Sequence, residues 1–582
     1  MASRSKATSW VEAAGPNQRC SGLRGSFLRR HLIRMAAGLV FMALSGTSVT
    51  EGLLAMPRSN YHGDNASPLS QIHTGNVEHL RASRRVSLEG SAGKPVVVGS
   101  SLLFVMTHRP AAVYAFDLDW DVRVRWQYNL LLDPDSLRKQ RSQRPYGLAY
   151  SADTVFAYSP DTTLTALDAQ TGKVRWHVLV SGNGTDVTEP IALGAPIVVE
   201  DKVMVRLEGG PGMRSRIVAY DAFTGRSEWT AYSTGPDADT LLDPSHTTHL
   251  LEPVGRDSLS RISSHDHVER LGPLVYDPEQ NLIYYSSVGR PTYDGGLAVP
   301  GFAPTTIFAR SPRDGMATWI YRFSSIDALG GASSNHPIVT AAQFEQAPNA
   351  TGVFYFDESG RAFGLDTAQG TALYEGHFDR DLFDALEQFS DLTGSYESGG
   401  QLARCAGSNV PNKSVAFLPD NGTFFSAYSG VCILDGLSLY RLGSGEYATG
   451  NPRKTATMVT AWRPWSGLTW RVSEGAGVAS NLLATSGRLL IYGTSKGELV
   501  ARNSIDGGEL LRLKLGDEPV TSVLTFVEGG EQRIVVVVGD GHDLLAVPDG
   551  CKFCKSLTCP PCADACCKDT YGRSEIIPLR LR

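Results

Sequence analysis

The chain has 582 residues, of which 42% are hydrophobic and 20% are charged, and its formal net charge is −6. This composition is typical of a folded globular protein and excludes a largely disordered chain. The mild acidity and the lack of a basic stripe exclude a nucleic-acid-binding role. Sixty glycines and 31 prolines indicate many turns, and the length allows one very large domain or several ordinary ones.

Residues 1–57 are predicted to be a targeting segment. Residues 1–34 carry seven Arg or Lys and one acid, and the apolar run Met35–Leu44 follows them. Because a helix of this length spans about half of a bilayer core, the pattern favours a signal peptide, and Arg29-Arg30 is similar to a twin-arginine export signal. The alternatives are an organellar presequence and an uncleaved membrane anchor. We expect an exported protein, located in the periplasm, outside the cell or in the secretory lumen.

An internal repeat recurs through the middle of the chain. In its clearest copies, Leu167–Trp176 and Tyr220–Trp229, an Asp precedes a Gly by four residues and a Trp follows the Gly by four. A strand, a turn with Gly at positive φ and a second strand predict a β-hairpin, in which the Asp bonds the turn amides. The Trp is expected to pack between sheets and to bond a backbone carbonyl. Weaker copies end at Trp126, Trp319, Tyr374, Trp470 and Leu511.

The repeat predicts an all-β fold, a single eight-bladed β-propeller. Two hairpins make a four-stranded blade, and blades arranged radially leave only short edges. Seven copies give seven blades, and strands at residues 95–106 and 534–538 are predicted to combine into an eighth. We expect the propeller to cover residues 58–548, with an insertion at about 379–455 that contains a helical candidate, Asp379–Leu392.

Residues 549–582 are predicted to be a Cys-rich tail outside the propeller core. Two Cys-X-X-Cys pairs stand four residues apart, which is short for a zinc ribbon. An even set of six cysteines in an exported protein favours a small disulfide knot, with a zinc site as the alternative and a redox role third. The six are Cys551, Cys554, Cys559, Cys562, Cys566 and Cys567.

The repeat is of the PQQ type, and the chain resembles the quinoprotein (PQQ-dependent) methanol and alcohol dehydrogenases. Asn60–Leu80 is similar to the start of those enzymes, and the resemblance covers roughly residues 60–545. It implies a site on the central axis that holds PQQ and a calcium or lanthanide ion. There an Asp takes a proton from the alcohol while hydride moves to the quinone. Further matches follow in order at residues 113–118, 146–150, 230–237 and 275–284.

The resemblance also implies a structural disulfide between Cys405 and Cys432. These residues flank two predicted strands, Lys413–Pro419 and Thr423–Ala427. Apart from Cys20 and the tail, they are the only cysteines of the chain. A retained structural feature supports common ancestry, whereas fold alone does not establish function.

Most site positions that the resemblance implies fall on residues of different chemistry. A disulfide between adjacent cysteines, which covers the cofactor in the family, falls at Gln140 and Arg141. Two cofactor-binding arginines fall at Tyr146 and Glu358, and two metal ligands fall at Gly210 and Arg290. The tryptophan beneath the cofactor falls at Leu271, and the catalytic Asp falls at Gly330. Nearby residues are the candidates for those roles. Asp327 is the candidate base, and Glu208, Arg144 and Asn412 are the candidates for cofactor binding. No residue is assigned to a metal.

These differences predict a non-catalytic or strongly diverged propeller that needs no cofactor. Such a protein would be a binding or scaffolding component of an exported compartment. Its partner would be a protein, an envelope component or a glycan, and the apolar run Met35–Leu44 is where it would contact a membrane. The alternative is an alcohol dehydrogenase with a rearranged site, using PQQ with calcium or a lanthanide.

Overall fold

The computed structural model shows a chain built almost entirely from β-strands. All the residues it describes lie in one compact unit, Glu51–Arg582. They are residues 60–82, 85–88, 91–92, 96–98, 102–108, 111–117, 123–130, 147–159, 161–180, 191–208, 214–233, 237–242, 269–289, 293–294, 297–298, 306–322, 338–340, 351–356, 361–377, 404–405, 415–429, 431–434, 437–441, 447–449, 457–539 and 574–581. Within these ranges the helices are single turns, at Val77–His79, Asp237–Thr240 and Pro419–Asn421.

Three strands precede the first blade, and four blades follow them in chain order. The first three strands are β1 (Ala66–Ser67), β2 (Leu80–Ala82) and β3 (Val86–Leu88). Blade 1 holds β4 (Ser91–Ala92), β5 (Val96–Val98), β6 (Leu102–His108), β7 (Ala112–Asp117) and β8 (Arg123–Asn129). Blade 2 holds β9 (Gly147–Ser151), β10 (Thr154–Tyr158), β11 (Thr163–Asp168) and β12 (Val174–Leu179). Blade 3 holds β13 (Ile191–Val199), β14 (Lys202–Glu208), β15 (Arg216–Asp221) and β16 (Ser227–Tyr232). Blade 4 and the short pair inside it hold β17 (Glu269–Leu271), β18 (Val275–Asp277), β19 (Leu282–Gly289), β20 (Tyr293–Asp294), β21 (Leu297–Ala298), β22 (Thr306–Arg310) and β23 (Ala317–Arg322).

Four more blades complete the ring. Blade 5 holds β24 (Ile338–Thr340), β25 (Gly352–Phe356), β26 (Arg361–Asp366) and β27 (Ala372–His377). Blade 6 and a small extra sheet hold β28 (Arg404–Cys405), β29 (Val415–Leu418), β30 (Thr423–Ser429), β31 (Val431–Leu434), β32 (Leu437–Arg441), β33 (Tyr447–Thr449), β34 (Thr457–Arg463) and β35 (Gly467–Glu474). Blade 7 holds β36 (Leu483–Thr485), β37 (Leu489–Gly493), β38 (Glu498–Asn503) and β39 (Glu509–Lys514). Blade 8 holds β40 (Val520–Glu528), β41 (Glu531–Gly539) and β42 (Ser574–Leu581) together with β2 and β3.

In blades 1 to 7 the four main strands form a meander that pairs in chain order, which is the arrangement of a propeller blade. The first strand of a blade lies innermost, where it contacts the first strands of its neighbours. The last strand is the most exposed, and in β12 exposed residues dominate while β10 is fully buried. Among the described residues there are eight blade sheets, which confirms the predicted eight-bladed, all-β propeller.

Both ends of the chain build the closing blade. The C-terminal strand β42 pairs with β41 on one side and with the N-terminal strands β2 and β3 on the other. Sequence analysis placed residues 549–582 in a tail outside the propeller, yet residues 574–581 are a buried strand of blade 8. The strands predicted near residues 95–106 belong to blade 1 and not to the closing blade. The six tail cysteines lie outside the described residues, in the connection between β41 and β42.

The tryptophans of the repeat join neighbouring blades as predicted. The Trp126 indole N–H of blade 1 donates to the Ala169 carbonyl of blade 2 at 2.9 Å, and the ring covers Gly172, where a Cβ would lie 2.7 Å from it. Because any side chain would displace the ring, glycine is required there for the contact as well as for its φ of 69°. The same bond recurs from Trp176 to Ala222, Trp229 to Pro312, Trp319 to Thr367 and Trp470 to Ser504.

The predicted insertion at about 379–455 is instead two separate excursions around a hairpin of blade 6. Strands β29 and β30 lie inside that range and are the two inner strands of the blade. One excursion precedes β29 and the other joins β30 to β34, and together they form the sheet β28-β31-β32-β33. Its register places Cys405 directly opposite Cys432, at a backbone separation that suits a disulfide. The pairing of the two sulfurs stays a prediction, and the helical candidate Asp379–Leu392 lies outside the described residues.

Candidate functional site

The two ends of the propeller differ in the connections they carry. At one end, which we call the turn face, the innermost strand of a blade turns tightly into the second strand. The described turns of this kind are residues 152–153, 200–201, 278–281, 419–422, 486–488 and 529–530. The opposite end, the loop face, carries eight long connections between described strands, and seven of them are longer than any connection at the turn face. They are residues 130–146, 180–190, 233–268, 290–305, 323–337, 378–414, 430–456 and 540–573.

Long connections on a rigid scaffold are where propellers and other β-folds place their sites. The candidates Arg144, Asp327 and Asn412 all belong to loop-face connections, and all three lie outside the described residues. The loop face is therefore the candidate site by chain position alone. Of the four candidates named from the sequence, Glu208 is the one that the structure describes.

Glu208 is the last residue of β14, at the loop-face end of blade 3. Its residue surface is 1% exposed, and its backbone lies opposite Ile191 of the innermost strand β13. Side chains alternate along a strand, so Glu208 shares one face of the sheet with Arg206. A carboxylate so deeply buried is costly unless charge or hydrogen bonds compensate it, and its place at a strand end next to the loops is typical of a functional group.

Arg206 is a buried cation two residues before Glu208, and it was not among the residues named from the sequence. Its guanidinium donates a hydrogen bond of 2.8 Å to the Leu271 carbonyl of blade 4, and 6% of its surface is exposed. The Tyr158 hydroxyl of blade 2 donates to the Arg206 carbonyl at 3.3 Å, and burial raises the pKa of that hydroxyl. The sequence signal was an arginine within the apolar strand Lys202–Glu208, which is a pattern that a purely structural strand seldom contains.

Leu271 occupies the position where the resemblance implied the tryptophan beneath the cofactor. It is buried, with 5% of its surface exposed, and its carbonyl is held by Arg206. The next residue, Gly272, packs so closely against blade 4 that a Cβ would lie 2.3 Å from Ser286 Oγ. Gly272 and Ser286 both belong to blade 4, and the bond from Arg206 to the Leu271 carbonyl joins this blade to blade 3.

The chemistry of this group suits a hard cation. A carboxylate oxygen is a preferred ligand of calcium and of other hard ions. Within the described residues no set of three or more His, Cys, Asp or Glu side chains could enclose a metal, so Glu208 would be one ligand among several. The others would come from the loop-face connections. Arg206 adds positive charge next to it, which suits a polycarboxylate cofactor.

A second buried cluster of charge lies between blades 6 and 7 and is structural. The carboxylate of Glu474, with a side-chain exposure of 3%, contacts Arg502 at 3.4 Å and Arg512 at 3.0 Å. The Tyr492 hydroxyl donates to the same carboxylate at 2.9 Å. Burial raises the pKa of Glu474, but the hydrogen bonds from Arg512 and Tyr492 outweigh burial and the net pKa is lowered. Every charge of this cluster is paired within the cluster, so it stabilises the joint between two blades.

Comparison with known proteins identifies the family. Residues 111–251 match the family described as outer membrane protein assembly factor BamB. A lanthanide-dependent methanol dehydrogenase of Methylorubrum extorquens is 30% identical over 563 residues, which cover 88% of this chain and 92% of that protein. The chain belongs to the PQQ-dependent alcohol dehydrogenase family. Methanol dehydrogenase subunit 1 of Methylobacterium organophilum is 26% identical, with 84% of each chain covered.

Solved structures of the family share the fold of the chain. A europium-containing methanol dehydrogenase superposes with a TM-score of 0.70 at 24% identity and covers 93% of this chain and 100% of its own. The quinohemoprotein alcohol dehydrogenase ADHIIG of Pseudomonas putida gives a TM-score of 0.68, covering 93% of this chain and 82% of its own. At these identities the likeness concerns the propeller itself.

Two expectations from the sequence are wrong. The chain was expected to be a non-catalytic propeller and to need no cofactor, whereas its relatives along almost the whole chain are dehydrogenases, including a lanthanide-dependent one. The error has a physical origin. The site positions were carried over at fixed spacing through loop-face connections, where insertions are tolerated, so a functional residue can be displaced. Glu208 lies two residues from the expected position at Gly210.

Proposed function

We propose that the protein is a PQQ-dependent alcohol dehydrogenase of the methanol dehydrogenase type. Its substrate class would be short primary alcohols, and its metal a lanthanide or calcium ion. The observation that supports this most strongly is the colinear relation to the methanol dehydrogenases, at 30% identity over 88% of the chain. The buried carboxylate of Glu208 at the loop face gives that relation a chemical counterpart.

The described residues fit this role by their donor chemistry. Glu208 would bind the metal through its carboxylate oxygens, and PQQ with its metal would accept the hydride of the alcohol. Arg206 raises the local positive potential, so that bound carboxylates and a developing negative charge are stabilised. Its hydrogen bond to the Leu271 carbonyl fixes it across the joint between blades 3 and 4. Burial of Glu208 excludes water from the metal side of the site, which strengthens these electrostatic interactions.

The proposed location is an exported compartment. The basic residues 1–34 followed by the apolar run Met35–Leu44 support export. In the part of the chain that the structure describes, no helix is long and apolar enough to cross a membrane. A relative is named methanol dehydrogenase [cytochrome c] subunit 1. We therefore propose a cytochrome c, which would accept electrons, as the partner of this protein. An unidentified protein, envelope component or glycan is the second partner that we propose.

Reconstitution tests the proposed function. Purified protein is incubated with PQQ and either calcium or a lanthanide, and dye reduction is measured with short alcohols. We expect alcohol-dependent reduction that falls by two or more orders of magnitude, roughly the loss typical of a lost site group, in Glu208→Gln. Glu228→Gln is the matched control, because Glu228 is exposed on the outermost strand of the same blade. Absence of reduction with every metal, in folded protein that has bound PQQ, would refute the proposal.

A further inference from the structure

An N-terminal segment, residues 60–72, runs around the axis of the propeller and bonds the innermost strands of successive blades. We call this segment the strap. It pairs in parallel with β36 of blade 7 through β1, and its other contacts follow the order of the blades. The bonds are Tyr61 Oη to the Val198 carbonyl at 2.8 Å, Tyr276 N to the Tyr61 carbonyl at 2.9 Å, Val339 N to the His62 carbonyl at 3.1 Å, Phe417 N to the Asp64 carbonyl at 2.8 Å, Asn65 Nδ2 to the Val415 carbonyl at 2.8 Å, Ala484 N to the Asn65 carbonyl at 3.1 Å and Ser486 N to the Ser67 carbonyl at 3.0 Å. Blades 3 to 7 are therefore held in turn.

Blade 8 continues the path. The Ile72 amide donates to the Gln532 side chain at 2.8 Å, and the Gln71 side chain donates to the Gly530 carbonyl at 2.9 Å. Innermost strands of a propeller present unpaired backbone groups toward the axis. The strap supplies partners for those groups in blades 3 to 7, and in blade 8 it bonds the turn at Gly530 and the second strand at Gln532.

The strap lies inside the ring and is not laid over its surface. Residues 63–67 are buried, and Asn65 is 2% exposed. Its turn is preorganised by its own residues, since Asp64 Oδ1 accepts hydrogen bonds from the Asn60 side chain at 2.7 Å and from the Ala66 amide at 2.8 Å. Gly63 and Asn65 have φ of 70° and 52°, a backbone region that Gly and Asn tolerate better than other residues. The sequence therefore specifies this buried turn locally.

The bonded residues place the strap at the turn face. Val198, Tyr276 and Phe417 each stand one residue before the end of their strand, next to the tight turn that follows. Ser486 lies in the turn after β36. These contacts lie at the end of the ring opposite to Glu208, which is at the loop-face end of its strand. The bond from Asn65 reaches farther along blade 6, to Val415 at the start of β29.

We propose that the strap closes the turn-face end of the propeller axis, so that solvent has no path along the axis from that face. This inference concerns the ring and stands whether or not the proposed catalytic function holds.

Thiol accessibility tests this closure. Ser67→Cys places a thiol on the buried strap at a residue that is 4% exposed, and Ser70→Cys places a matched thiol on its exposed continuation. Each variant is alkylated, and the rate is read for the single peptide by mass spectrometry, so the nine native cysteines do not interfere. We expect Ser67→Cys to react on the order of 100-fold more slowly than Ser70→Cys, because a buried thiol reacts only after local opening.

A second experiment weakens the strap. Tyr61→Phe with Asn65→Gly removes two side-chain bonds while keeping the aromatic ring and the left-handed backbone. In that background the reaction of Ser67→Cys should accelerate about tenfold or more, and amide exchange at Tyr276, Val339 and Ala484 should accelerate with it. If the double variant does not fold, Tyr61→Phe alone is used. Equal alkylation rates for Ser67→Cys and Ser70→Cys in the unloosened protein, or unchanged rates in the loosened one, would overturn the proposal.

Discussion

Replacing Gly225 by alanine should destabilise the joint between blades 2 and 3 more than the backbone strain alone explains. Gly225 has φ of 69°, and a Cβ there would lie 2.7 Å from Cε3 of Trp176. The Trp176 indole N–H donates to the Ala222 carbonyl of the same turn at 3.0 Å. An added methyl group therefore displaces the ring and strains or breaks the hydrogen bond.

The magnitude follows from three contributions. Alanine in the left-handed region costs about 1–2 kcal/mol. Displacing a packed ring costs about 1 kcal/mol or more, and losing the indole hydrogen bond costs about 1 kcal/mol. The sum is roughly 3–4 kcal/mol in the free energy of unfolding.

Gly467 supplies the matched control. Its φ is 73°, and a Cβ there would meet no atom within 4 Å. Gly467→Ala should therefore show only the backbone cost of about 1–2 kcal/mol. Denaturant unfolding of both variants, followed by tryptophan fluorescence, measures the difference, which we expect to be about 2 kcal/mol. Equal midpoints would mean that the Trp176 contact contributes nothing, and the account of how the repeat joins the blades would be wrong.

Three further predictions concern titration and covalent structure. Burial lowers the pKa of His62 below its ordinary 6.5, although Asp277 and Glu279 partly oppose this. The unfolded chain then binds more protons than the folded one, so the stability of the protein should fall as the pH falls through 6.5. In His62→Asn the melting temperature should therefore change less with pH between 7.5 and 5.5. Equal slopes in the two proteins would contradict this. Glu474→Gln should cost about 1–3 kcal/mol of unfolding free energy, since it removes charge-assisted hydrogen bonds to Arg502 and Arg512, which keep Glu509 and Glu498 as partners. Because the pKa of Glu474 is lowered, this contribution should vanish as the pH falls below 4.5. A variant as stable as the parent at pH 7 would refute it. Peptide mapping without reduction should find Cys405 linked to Cys432, whereas two free thiols would exclude the bond.

Much of the fold could be predicted because the same hairpin motif recurs several times along the sequence. The spacing of Asp168, Gly172 and Trp176 indicated a hairpin and a contact to the next blade, and both are present. The closing blade was predicted in part: it is built from both chain ends and contains the strand near residues 534–538. Ser574–Leu581 was missed, because the connection 540–573 separates it from its partner β41. Strand pairing across such a distance leaves no local signal. The division of residues 379–455 into two excursions was missed for the same reason.

The candidate site was less predictable because its residues lie in connections whose length varies. Glu208 was named because it lies two residues before the expected position at Gly210, and its role stays a prediction. Arg206 was not named, since its role depends on the Leu271 carbonyl of another blade, and such a contact cannot be read from one strand. The strap was recognised from the sequence only as a resemblance, because its partners are backbone groups that no side-chain pattern encodes.

The central claim is that the loop face of this propeller holds a metal at Glu208. Crystals of protein purified with PQQ and a lanthanide give a direct test, because the ion scatters anomalously. The account predicts an anomalous peak at about 2.3–2.6 Å from a Glu208 carboxylate oxygen, the range of hard cations with oxygen ligands, and its loss in Glu208→Gln but not in Glu228→Gln. An ordered loop face without such a peak, or a peak that persists in Glu208→Gln, would contradict the claim.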